Sequence, residues 1–151
     1  MSAQLQSRPV IHEAICYLIV NDAARAIDYY RELFGAEETY RLDYDGKIGH
    51  AELKFGPTTI MLADEFADHG IRSPLAFGGT GVRIHLHVDN VDAIAARASV
   101  SGSTILYGPA DEPHGERQCR LRDPFGHEWL LGHQVEALSQ EEVRRRYGAG
   151  S

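Results

Sequence analysis

The chain has 151 residues, 43% of them hydrophobic and 25% charged, enough for one globular domain with a substantial core. A formal charge of −7 argues against non-specific nucleic-acid binding and leans towards neutral or cationic small partners. No run is long and apolar enough to cross a bilayer as a helix, which argues against a membrane protein.

The opening stretch, "MSAQLQSRPVIHEAICYLIV", lacks a basic start followed by a clean apolar run, and Glu13 interrupts it. It does not read as a secretion signal. With only two cysteines, Cys16 and Cys119, a cytoplasmic protein with reduced thiols is the expectation. Residues 1–9 read as a flexible tail, and a first module is expected over 10–63. Residues 14–20, "AICYLIV", form a buried-strand run. Asn21 or Asp22 suits a helix cap, ahead of Ala23, Ala26, Ile27, Tyr30 and Phe34 at helical spacing. Gly35 supplies a left-handed stop. Strands are expected at 37–43, 48–55 and 58–63, separated by the turn sequences "DYDG" and "GP".

A glycine-rich connection, "DEFADHGIRSPLAFGGTG" (64–81), leads to a second module over 82–133. Its first strand is "VRIHLHV" (82–88), and Asn90 can cap a helix carrying Val91, Ile94, Ala95 and Ala98 on one side. Gly102 closes that helix, and strands follow near 103–107, 116–122 and 128–132. The last two join through "DPFGH", whose proline and glycine suit a hairpin turn. Residues 134–151 read as a short helix and tail, with Ser139 and Glu142 spaced as a capping box.

The halves overlay. "LIVND" (18–22) matches "LHVDN" (86–90) at an offset of 68, and "TIMLA" (59–63) matches "EWLLG" (128–132) at 69. The pattern predicts an α+β fold: two tandem βαβββ modules forming a curved mixed sheet around a cavity, helices outside, in one globular domain.

Alternation decides which side chains enter that cavity. Val82, Ile84, Leu86 and Val88 should pack under the helices, leaving Arg83, His85 and His87 on the concave side. The first strand contributes Ile15, Tyr17 and Ile19, the third His50 and Glu52. From the fourth come Thr59, Met61 and Ala63, from the eighth Glu128 and Leu130. Trp129 and Leu131 fall in the core. The cavity expected is apolar at Ile15, Ile19, Met61 and Leu130, and polar around Arg83, His85, His87, His50 and Glu52.

The stretches "YLIVNDAARAIDYYRELFGAEE", "GKIGHAELKFGPTTIMLADE", "LHVDNVDAIAARA" and "RLRDPFGHEWLL" resemble the vicinal oxygen chelate superfamily, which includes lactoylglutathione lyase, bleomycin-resistance proteins and extradiol dioxygenases. The resemblance runs over roughly residues 10 to 133. It is nearest the glyoxalase-like branch carrying "HAEL" and "DPFGH". It implies four metal ligands at pseudo-symmetric corners on the first, fourth, fifth and eighth strands. Carried over, those corners land on Ile15, Met61, Arg83 and Leu130. Ile, Leu and Arg do not ligate metals, and a thioether suits hard or borderline divalent ions poorly. No cofactor is therefore expected at the usual chelate. The resemblance also implies a homodimer, arranged side by side or by module exchange.

His85 and His87 form a His-x-His on a strand, with same-face Cα atoms roughly 7 Å apart, close enough for imidazoles to share an ion. A relocated divalent-metal site would comprise His85, His87 and Glu52, with His50 nearby; Arg83 beside the pair repels a cation. His85, His50 and Glu52 are also the acid–base candidates. His127 is expected to make a structural backbone bond, and Cys119 could face the trough, with no sign of an activated thiolate. Glu65 is placed at the rim, and Arg144 to Arg146 form a solvated face. His12, His69, His114 and His133 fall in tails and loops without a role.

Two readings follow. The first is a metal-independent protein that binds a small molecule, an antibiotic or metabolite, through Ile15, Tyr17, Ile19, His50, Met61, Arg83, His85, His87 and Leu130. The second is a lyase, isomerase or dioxygenase relative working through His85, His87, His50 and Glu52.

Overall fold

The computed structural model describes residues 7–148. A first sheet is built from β1 (Tyr17–Val20), β2 (Glu37–Tyr44), β3 (Lys47–Phe55) and β4 (Thr58–Asp64), with helix α1 (Ala23–Phe34) between β1 and β2. A connection containing the short helix α2 (Pro74–Phe77) leads to β5 (Arg83–His87), α3 (Val91–Val100), β6 (Thr104–Asp111), β7 (Glu116–Arg122) and β8 (Glu128–Gln134). Helix α4 (Gln140–Gly148) follows. The strand orders are β1-β4-β3-β2 and β5-β8-β7-β6. In each sheet the first strand runs parallel to the last, and the other pairs are antiparallel. These are the two tandem βαβββ modules that the repeat predicts. They remain two sheets of four strands, not one continuous curved sheet.

The helices begin where the sequence places their caps. Asp22 accepts a hydrogen bond from the Arg25 amide at 3.2 Å, and Asn90 accepts one from the Ala93 amide at 3.1 Å. Gly35 ends α1 with φ 70°, a conformation that favours glycine. Helix α3 stops at Val100 with Ser101 as its cap, earlier than the expected stop at Gly102. Ser139 accepts from the Glu142 amide at 3.1 Å at the start of α4.

A second support lies at each long helix's N-terminus and comes from the end of its sheet. The Ala23 amide donates to Asp64 Oδ1 at 2.7 Å, and the Val91 amide donates to His133 Nδ1 at 3.0 Å. Residues 64 and 133 hold equivalent places in the repeat, each at the end of the strand parallel to the one leading into the helix. His133 thus lies on β8 and closes a helix end, where the sequence suggests an idle loop residue. Asp64 also accepts from the Ile48 amide at 2.8 Å, tying β3 to the same point.

The core faces of both sheets belong to one apolar cluster. Leu18, Val20, Leu53 and Leu62 come from the first module, and Val91, Leu121, Trp129 and Leu131 from the second. Trp129 is fully buried and stacks on Phe55 at 5.5 Å between ring centroids, with Phe34 at 4.7 Å and Tyr30 at 5.3 Å. Burying such a side chain contributes about 1.5–3 kcal/mol. Two core expectations change. Val82 lies just before β5 and is 65% exposed, while Cys119 is buried in the cluster and does not reach the opposite face.

At the module junction sits a carboxylate that the sequence reading passed over. Asp123, 3% exposed, opens the β7–β8 turn. It accepts from Tyr30 Oη at 2.5 Å, Trp129 Nε1 at 2.8 Å and the amides of Phe125 and His127 at 2.8 and 3.1 Å. Burial and the neighbouring Asp123 push the Tyr30 pKa well above its ordinary value, so Tyr30 stays a donor. His127 Nε2 donates to the Ile19 carbonyl at 2.9 Å, a backbone bond that fastens the second module's hairpin to the first module's β1.

Candidate functional site

The faces away from this shared core carry the candidate residues. Alternation places them correctly. On β5, Ile84 and Leu86 pack against the core while Arg83, His85 and His87 are exposed. On β1, Leu18 and Val20 are core, leaving Tyr17 45% exposed and Ile19 half-buried. Met61, Leu130, His50 and Glu52 are half-buried on the corresponding faces.

The polar residues expected to share one trough fall into two clusters, one per sheet. In the first, Tyr17 Oη lies 2.8 Å from His50 Nδ1, and His50 Nε2 lies 3.7 Å from Glu52. Burial, then the Glu52 charge, raises the Tyr17 pKa, which keeps the phenol protonated. Ile15, Glu52, Thr59 and Met61 border an adjoining cleft of about 350 Å³, lined entirely by the first module. Ile15 itself precedes β1.

In the second cluster the His85 and His87 ring centroids are 4.6 Å apart. Their third companion is Glu116 on β7, with His87 Nε2 at 3.2 Å from Glu116 Oε1. Ligand atoms of His85, His87 and Glu116 all lie within 4.8 Å of one another, and neither Glu52 nor His50 joins them. Of the alternative metal set His85, His87 and Glu52, the structure brings the two histidines together with Glu116 and leaves Glu52 in the other cluster. Alternation within one strand is legible in sequence, but which strand lies across from it is not.

Glu116 is held from its far side. Gln118 Nε2 donates to Glu116 Oε2 at 2.9 Å, and His114 Nε2 lies 3.3 Å from the same oxygen. Burial opposes the Glu116 carboxylate, but Gln118, His114 and the His87 charge outweigh it and lower its pKa. Burial first, and then His87, lower the His85 pKa, which favours a neutral imidazole. His114 is thus not idle: its Nδ1 also lies 3.0 Å from Tyr147 Oη on α4. Glu65 accepts from the buried Ser73 hydroxyl at 2.7 Å and organises the connection, where sequence suggests a free rim acid. In α4, Arg145 and Arg146 pair with Glu142, and Arg146 also with Glu136.

The four positions that the resemblance marks as chelate corners do not fit a metal. Ile15, Met61 and Leu130 present hydrocarbon or a thioether, and Arg83 presents a cation. Residues 11–131 match the sequence model of the glyoxalase/bleomycin-resistance protein/dioxygenase superfamily. The chain belongs to that superfamily. An uncharacterized protein of Mycobacterium tuberculosis is 41% identical over 132 residues, covering 85% of this chain and 78% of its own. Among solved structures, TioX from Micromonospora sp. ML1 is 28% identical with a TM-score of 0.63, over 84% of this chain and 99% of its own. TnmS3, an antibiotic-binding protein from Streptomyces sp. CB03234, shares the fold at 22% identity and a TM-score of 0.61, over 85% and 99%. No described helix is long and apolar enough to cross a membrane.

Proposed function

We propose that this superfamily member binds an organic small molecule, an antibiotic or a metabolite, without using the family's chelate corners. The observation that carries the reading is the chemistry of those corners: three hydrocarbon-rich side chains and one guanidinium, at Ile15, Met61, Leu130 and Arg83. Around them the open faces offer an aromatic and hydrogen-bonding surface. Tyr17 and Tyr40 are 45% and 48% exposed, and His50 sits within reach of both rings. Such a surface stacks on flat ligands and orients polar groups. TnmS3, an antibiotic-binding protein that shares the fold, agrees with it.

A single chain leaves both faces open, because its core already occupies the other side of each sheet. In the proposed homodimer, the Tyr17–His50–Met61 face of one copy closes over the His85–His87–Leu130 face of another. Ligand then lies between copies, and ligand binding and dimerisation are linked.

The test uses tag-free protein treated with EDTA. Sedimentation should give a dimer, and aromatic or peptide antibiotics should raise the melting temperature. At a hundredfold excess over Kd the shift should be roughly 5–10 °C for a domain of this size. Tyr17→Ala should remove most of it. A monomer whose melting is unmoved by every compound class, or moved only with added metal, would overturn the proposal.

A further inference from the structure

The cluster on the second sheet carries chemistry that the corner residues lack. His85 and His87 leave the same face of β5, and Glu116 rises from β7 two strands away. Between them runs β8, where the register sets Gly132 opposite both His87 and Gln118. Gly132 is what allows the three side chains to converge. A Cβ at that position would lie 3.1 Å from His85 Nε2 and 3.3 Å from Glu116 Oε2, tighter than side chains ordinarily approach. The floor of the cluster is therefore bare backbone, roofed by two imidazoles and a carboxylate.

We infer that His85, His87 and Glu116 form a zinc-type metal site, displaced from the family's chelate corners. Two neutral nitrogen donors and one carboxylate oxygen suit zinc and its borderline neighbours. Around a tetrahedral ion with bonds of about 2.1 Å, donor atoms stand roughly 3.4 Å apart. His87 Nε2 and Glu116 Oε1 already stand at 3.2 Å. Within the cluster the ligand atoms spread no further than 4.8 Å, so small side-chain rotations close the set. Glu116 is prepared for this role. Its Oε2 is engaged by Gln118 and His114, which orient the carboxylate and leave Oε1 facing His87. Outer partners of this kind fix a ligand's direction and raise its affinity for the ion. Three protein donors leave a fourth position for water or for a donor atom of a bound molecule.

The site does not depend on the ligand-binding proposal, and separate measurements address the two. Titration calorimetry of EDTA-stripped, tag-free protein with zinc alone should give one ion per chain. Cobalt substitution should give visible bands of a histidine-ligated ion. His87→Ala and Glu116→Gln should each weaken zinc at least tenfold, while His50→Ala should leave it unchanged. The His87 side chain is 73% exposed within the chain and lies outside its core, so the metal-free His87→Ala variant should keep its fold, read from circular dichroism. Substoichiometric zinc binding overturns the inference. So does stoichiometric binding that survives both substitutions or follows His50.

Discussion

The two modules are the same scaffold carrying different faces. Strand order, cap positions and the bond from sheet end to helix start recur in both, with Asp64 in one and His133 in the other. Along matched rungs the exposed faces part company. The first module aligns Tyr17, Met61 and Glu52, while the second aligns His85, Leu130 and Arg120. One rung further, Ile19 corresponds to His87. Core positions have to fill a shared space, so they keep their apolar character. The open faces bear no such burden and can diverge, one towards aromatic contact and the other towards imidazole and carboxylate chemistry. The β3–β4 and β7–β8 turns differ too. The first is a bare Gly56–Pro57 link, whereas the second holds Asp123 under four hydrogen bonds.

That last asymmetry gives the largest expected effect. Asp123→Ala strands the Tyr30 hydroxyl and the Trp129 indole N–H inside the core, and should cost about 3–5 kcal/mol in urea unfolding. A cost below about 1 kcal/mol would mean that the modules do not lean on this carboxylate. Next come the matched helix supports. Asp64→Ala removes the acceptor for both the Ala23 and Ile48 amides and should cost about 1–2 kcal/mol; His133→Ala removes one acceptor and should cost less, about 0.5–1 kcal/mol. Equal losses would show the two ends to be energetically as well as geometrically alike.

The smallest effect concerns α4, which is tied to the second module and its C-terminal extension through His114, Pro113 and Glu136. Hydrogen bonds from Arg145 and then Arg146 hold the Glu142 pKa at about 2. A depressed carboxylate supports the folded form above its ordinary pKa of 4.5, and that support disappears as pH falls towards about 2. Protease cleavage within α4 should therefore speed up between pH 4.5 and 2.5 before the sheets unfold, measured with an acid-active protease. Glu142→Gln should make cleavage equally fast at both values.

Much of this architecture is legible along the chain. The 68–69 residue offset, Asp22, Gly35 and Asn90 mark both modules, because helix caps and strand alternation are local physics. Alternation also separates Trp129 and Leu131 from Leu130, and Ile84 and Leu86 from His85 and His87. The site is only half legible. His85 and His87 announce themselves as a pair two residues apart, but Glu116 lies 29 positions beyond His87 and meets it only because β7 runs on the far side of β8. A signal for it existed in Gly132, the one position without a side chain in the row Glu128, Leu130, Gly132 and Gln134 of β8, yet its meaning depends on knowing the strand order. Asp123 was hidden in the same way, as a turn residue whose acceptor role needs Tyr30, 93 residues earlier.

Sequence by itself determined the elements, their repeat and the faces, since each rests on residue chemistry and short-range periodicity. Tertiary structure alone decided that the histidines meet Glu116 and not Glu52, and that the polar residues split between two sheets. Strand order and the cluster shared by the two sheets depend on contacts between residues far apart in the chain, which no local spacing encodes.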